Sequence, residues 1–213
     1  MTEGFEATYV ATRRQLRGVA ESLIAGPQFR ATGTIRLAVR PDGFVGVELA
    51  LGVHGVEFTW LDGAAPLAGT PRRLATAAGV QFGPPDGAYT VADPLDPDAA
   101  LDVDPAAAAL VHRSLYAGAY AIKQVLPEQH PVLWPEHFDV AVTDAEVNYG
   151  VSAGDAFHAL PYAYVGPWTQ RTGAFWNAPF GAVHPLDPAH DVDELAADAA
   201  EFFERGRAQL ASE

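Results

Sequence analysis

The chain has no cysteine among its 213 residues, one methionine and one lysine, Lys123. The first absence removes disulfides, thiol chemistry and thiolate-bound metals. Basic charge is sparse: 13 lysines and arginines stand against 27 aspartates and glutamates, for a net charge of −14. A phosphate backbone needs a basic footprint, so no nucleic-acid partner is expected. The same sign disfavours an anionic membrane surface. No apolar run reaches the ~20 residues of a membrane-spanning helix; the longest, around Ala106–Val111, falls far short. The first residues lack the basic and apolar regions of a secretory signal, and the expectation is a soluble, cytoplasmic protein. There is neither a dinucleotide-binding glycine fingerprint nor a P-loop, and no cofactor is expected. The shortage of lysine beside abundant Arg, Ala, Gly and Pro reflects a GC-rich coding bias rather than a function.

What is present suffices for a globular domain. Apolar residues make up 49% of the chain and charged residues only 19%, which argues against disorder and for a core that needs no staple. Phe5, Tyr9, Leu16, Val19, Leu23 and Ile24 recur at helical spacing and predict a first helix, ended by Gly26-Pro27. Arg17 stands four residues before Glu21, so a helical ion pair is available. Strict alternation over Phe29–Val39 predicts a strand, and Phe44–Leu51 and His54–Leu61 would continue it as a meander through short turns. Thr70-Pro71 reads as a capped short helix, Val80–Val91 as a further strand, and Asp104-Pro105 as the start of a helix to about Leu126. Strands over His137–Thr143, Glu146–Val151 and Tyr162–Gly166 precede a last helix from about Asp193. The reading is a single α+β domain over 1–213: a mainly antiparallel, curved meander sheet with three main helices. An acidic linker at 92–104 would join a β-rich first half to an aromatic-rich second half. The linker fails as an EF-hand loop, because Leu101 and Ala107 stand where glycine and glutamate are required.

Residues 128–186 hold close to half of the aromatic side chains and four of the seven histidines. Pockets are built from such flat apolar faces and a few fixed polar groups. If a strand begins at His137, then His137 and Asp139 share one face, and a carboxylate beside an imidazole suits general acid–base work. These two are the candidate catalytic residues. Candidate ligand-binding residues are Trp134, Tyr149, Asp155, Tyr164, Trp168, Trp176 and Asn177, a mixture that suits a small polar ring such as a sugar or an amine. His137, Asp139, Asp155 and His158 could between them supply four metal donors, but no zinc motif is present and no bound metal is expected. Gly150-Val-Ser-Ala-Gly154 matches the G-x-S-x-G pattern of a nucleophile elbow, yet Pro161 leaves no room for the long helix that must follow; a glycine-rich turn is the simpler reading.

Four motifs, Trp134-Pro-Glu-His-Phe-Asp139, Asn148-Tyr-Gly-Val-Ser-Ala-Gly-Asp155, Pro161-Tyr-Ala-Tyr-Val-Gly-Pro-Trp168 and Phe175-Trp-Asn-Ala-Pro-Phe-Gly181, resemble those of a family of actinobacterial proteins that has no assigned activity. The resemblance implies an actinobacterial origin and points to the same segment, without assigning a role to any residue. Three functions compete: a small-molecule-binding protein or enzyme with its pocket in 128–186, a protein–protein module presenting its aromatics to a homodimer partner, and a metal-dependent hydrolase using His137 and Asp139.

Overall fold

Tyr9, Leu16, Val19, Leu23 and Ile24 are all fully buried, so the apolar stripe read from the sequence is the face the first helix turns inward. The computed structural model describes residues 3–212. In it α1 (Glu3–Val19) runs into a π-helical segment, Ala20–Ala25, and on into α2 (Gly26–Thr32). The expected stop at Gly26-Pro27 does not occur. The Gly26 N–H bonds the Glu21 carbonyl, five residues back. Pro27 then falls in the first turn of α2, where its missing N–H costs little. Position 26 needs glycine, since a Cβ there would lie 1.8 Å from the Gly83 carbonyl oxygen. α2 ends on Gly33, at φ 79°, a left-handed cap whose N–H bonds the Phe29 carbonyl. The strand expected over Phe29–Val39 therefore shrinks to β1 (Leu37–Arg40).

The chain divides into two compact units. One runs to His112 and takes back Leu133–Phe138; the other comprises Arg113–Val132 and the chain from Asp139 on. In the first unit β1 is followed by β2 (Gly43–Gly46), β3 (Leu51–His54), β4 (Glu57–Trp60) and β5 (Gly63–Pro66), each antiparallel to the one before. β6 (Ala68–Gly69) precedes α3 (Pro71–Ala77), which Thr70 caps, and pairs with β7 (Leu101–Asp102). α4 (Pro105–Val125) carries the chain toward β8 (Val132–Trp134), whose Leu133 pairs with Leu37 on the free edge of β1. Phe44 and Phe58 are fully buried, and the ring of Phe138 meets Phe44 edge-on at 5.6 Å. His112 reaches the Gly55 carbonyl from Nε2 at 2.9 Å, and burial lowers its pKa.

Residues 80–91 form turns and irregular chain instead of the expected strand. Three of their carbonyls are taken by one side chain: the Arg30 guanidinium bonds those of Gln81, Gly83 and Pro84. The acidic stretch at 92–104 belongs to the first unit. Asp98 holds Arg72 through two bonds of 2.8 Å, and the Asp102 backbone exchanges two bonds with the Gln15 side chain.

The second unit contains the later part of α4, then β9 (Asp139–Asp144), β10 (Val147–Ser152), β11 (Tyr162–Pro167), β12 (Ala182–Pro185) and α5 (Val192–Ala211). The four strands form an antiparallel meander. α5 starts on a capping box in which Asp191 and Glu194 each accept the other's backbone N–H. Every strand pairing is antiparallel and the long helices are the N-terminal run, α4 and α5, so the fold class is α+β. Among the described residues, no helix is long and apolar enough to cross a membrane.

One side chain holds several loops of the first unit in place. Gln28 is fully buried; its amide nitrogen donates to the carbonyls of Thr34 and Arg36, and its oxygen accepts from the N–H groups of Glu48 and Leu49. Gln28→Leu leaves four backbone groups without partners. Urea unfolding of this variant is expected to show a loss of about 3 kcal/mol or more; a loss below about 1 kcal/mol would show that the loops do not depend on this residue.

Candidate functional site

The pleat of β9–β11 sorts side chains onto two faces. The register places Val140, Val142, Tyr149, Val151, Ala163 and Val165 on one face. The helices of this unit cover that face: Gly118 of α4 approaches Val151 and Val140, Gly206 of α5 approaches Val165, and Phe203 meets the Tyr149 ring edge-on at 5.9 Å. The opposite face carries Asp139, Thr143, Asn148, Ser152, Tyr162 and Tyr164, with Gly150 and Gly166 between them. It is the polar face, and the site lies there.

Gly150 lies directly across from Tyr164 in the β10–β11 pairing. A Cβ on it would come within 2.6 Å of the Tyr164 hydroxyl, so the glycine is the bed in which the phenol lies. The Tyr164 hydroxyl donates to the Asp139 carboxylate. Burial, then the Asp139 charge, raises the Tyr164 pKa well above its ordinary value, so the phenol keeps its proton. Beside this pair opens a cleft of about 440 Å³. Its walls include Tyr164, Asn148, Trp168, Gln170, Arg171 and Phe180. Trp168 is 65% exposed, and its indole N–H reaches the Asn148 side-chain oxygen at 3.4 Å. Thr143 donates to that same oxygen at 2.7 Å, which fixes the amide. The residues forming the cleft include no carboxylate.

Of the residues singled out from the sequence, Asp139, Tyr164 and Trp168 lie in or directly behind this cleft. The others are placed as follows. Tyr149 is buried on the opposite, apolar face. Asp155 accepts from the N–H groups of Phe157 and His158 and, at 2.7 Å, from the Tyr162 hydroxyl. Trp176 is nearly buried against Phe175, and the Asn177 amide makes two bonds to the backbone of Val183. Trp134 and His137 belong to the first unit. The Arg36 guanidinium lies over the Trp134 ring, and His137 is exposed in the turn before β9. The strand begins at Asp139 because Phe138 adopts φ 54°. That left-handed residue breaks the alternation on which the shared face of His137 and Asp139 depended. Ser152 lies inside β10, paired on both sides, and its hydroxyl accepts from the Gly154 N–H, which is the turn chemistry rather than an elbow. Among the described residues, no group of three or more His, Asp or Glu side chains could hold a metal ion.

Asn148, Gln170, Arg171 and Phe180 were missed from the sequence. For Asn148 a signal existed: it alternates with Tyr149, so choosing Tyr149 for the core turns its neighbour to the other face. A second polar cluster, in the first unit, was visible only as the spacing of Arg17 and Glu21. Glu21 is 1% exposed in the π-helical segment; Arg17 Nη2 lies 3.5 Å from its Oε1 and donates at 2.6 Å to the Glu136 carbonyl. Burial pushes the Glu21 carboxyl from its ordinary 4.5 up to about 7, against the opposing pull of Arg17. No protein-family model, no curated protein and no solved structure matches the chain.

Two outcomes follow from these contacts. Tyr164→Phe takes the phenol donor from Asp139 and is expected to cost about 2 kcal/mol of stability; a neutral substitution in urea unfolding would show the bond to be dispensable. Glu21 holds a proton in the folded state that the unfolded chain releases between pH 4.5 and about 7. Its stabilising contribution is therefore complete below that window and lost as pH rises through 7. The stability of Glu21→Gln relative to the parent is expected to climb between pH 5 and pH 8; parallel pH profiles would refute the buried ionisation.

Proposed function

We propose that the second unit binds a small polar ring, of the size and character of a sugar or sugar acid, in the cleft beside Tyr164. The observation that carries this reading is the cleft itself. About 440 Å³ falls within the range of small-molecule sites. It combines the flat, exposed indole of Trp168 with the amides of Asn148 and Gln170 and the guanidinium of Arg171. An aromatic face stacks on the ring, and the amides and guanidinium meet its hydroxyl or carboxylate oxygens. A cleft without carboxylates favours a ligand rich in acceptors over an amine. Asp139 serves this site from behind, by orienting the Tyr164 hydroxyl.

The test is a thermal-shift and calorimetric screen of sugars, sugar acids and amines. A sugar or sugar acid is expected to raise the melting temperature, since a ligand that binds only the native state stabilises it. Trp168→Ala should weaken that binding about tenfold or more. No shift from any of these in a folded sample, or a shift that Trp168→Ala leaves intact, would overturn the reading. A second reading has its own observation: Trp168, Phe157 and Phe180 are 65%, 48% and 42% exposed. Aromatics so placed would anchor a second copy of the chain. Light scattering that finds a dimer, dispersed by Trp168→Ala, would favour it over the ligand.

A further inference from the structure

Six large apolar side chains stand exposed among the described residues, and three of them, Phe157, Trp168 and Phe180, are aromatics that line or adjoin the cleft. Single exposed apolar residues are ordinary, whereas a cluster marks a contact surface. Trp168 and Phe180 are in the cleft wall; Phe157 lies outside it and meets Phe180 edge-on at 5.2 Å. The apolar surface thus continues past the rim of the cleft, from Phe180 onto Phe157. The loop before β11 holds Phe157 there. The Asp155 carboxylate accepts the N–H groups of Phe157 and His158, and the Asp155 N–H bonds the His158 carbonyl at 2.8 Å. Tyr162 braces the Phe157 ring from a second side, at 6.2 Å between centroids. This shelf is ordered before anything binds it, which lowers the cost of binding.

Area and chemistry define what fits the shelf. At 65%, 48% and 42% exposure, three aromatic side chains of about 200 Å² each offer about 300 Å² together. A stable contact with a second copy takes roughly 800 Å² per partner, and each copy carries a charge of −14. The patch matches a small group instead. Its side chains, Phe157, Phe180 and the neighbouring Pro179, have no donor or acceptor to meet the hydroxyls of a second sugar. Tyr162 and Asp155, which brace the loop, bond each other at 2.7 Å. Resting on the polar-ring reading of the cleft, we propose that the ligand is a conjugate, such as the glycoside of a phenol or another apolar alcohol. Its polar ring lies among Trp168, Asn148 and Gln170, and its apolar substituent lies on Phe180 and Phe157.

The test is a calorimetric titration of the full chain with the methyl and phenyl β-glycosides of glucose, galactose and glucuronic acid, and with cellobiose. At least one phenyl glycoside is expected to bind about tenfold tighter than its methyl counterpart. Phe157→Ala should erase that gain, and Phe157→Leu should keep most of it. Equal affinities within every methyl and phenyl pair would overturn this inference and leave the polar-ring reading standing. So would a gain that survives Phe157→Ala, or an equal gain by cellobiose over methyl glucoside, which would make the shelf a second sugar subsite. A dimer in light scattering that Phe157→Ala disperses would give the shelf to a second copy. Binding by none of the probes would sink the polar-ring reading and this one together.

Discussion

The two-residue period of a pleated strand is the constraint from which the second unit follows. In β9–β11 it delivers valines, alanines and Tyr149 to one face, where α4 and α5 cover them, and Asp139, Asn148 and Tyr164 to the other. The core and the cleft are thus two sides of one register. A slip by a single residue would bring the carboxylate of Asp139 into the core and turn the valines outward. Glycine adds the third dimension. Gly118 and Gly206 let helices come close to the apolar face, and Gly150 lets a phenol lie flat on the polar one.

The first unit shows the same economy with polar groups, in two contrasting forms. Gln28 and Glu21 are both buried on the same helical run. Gln28 has each side of its amide engaged by backbone, so it acts as a structural clamp. Glu21 is met by side chains alone, those of Arg17 and Tyr89. A carboxyl in that condition stays neutral more readily than its exposed counterparts, because burial penalises its charge more than one arginine can restore. The amide is neutral at every pH, whereas the acid makes the stability of this unit depend on pH.

Features set by neighbours in sequence were legible before the structure. Thr70-Pro71 and Asp104-Pro105 are caps made within one turn, and each appears where the pattern places it; the last helix begins close to the expected Asp193, at Val192. The alternation of β9–β11 was equally plain, and so were Tyr164, Trp168 and Asp139 as residues of interest. What escaped depends on distant chain. Gly26-Pro27 looks like a helix stop unless one knows that the Gly83 carbonyl packs against Gly26 and that a π-helical turn absorbs the proline. Gly33 reads as one more residue of an alternating strand until its left-handed φ reveals a cap. Phe138 similarly ends the alternation one residue before Asp139. Arg171 and Phe180 reach the cleft from a loop, where no periodicity operates. Tyr89 and Glu136 meet Glu21 from remote parts of the chain, and no local spacing encodes that.

The division of the chain between its units bears on how the protein is made. Leu133–Phe138 belongs with the residues up to His112, although the later part of α4 intervenes. During synthesis the edge of β1 and the ring of Phe44 therefore wait for partners, Leu133 and Phe138, that leave the ribosome only after the α4 helix has emerged. The nascent first unit cannot complete itself as each strand appears. It must hold an unfinished edge in solution until the chain returns, which makes translation pace and chaperone cover across residues 113–132 part of the folding of residues already synthesised.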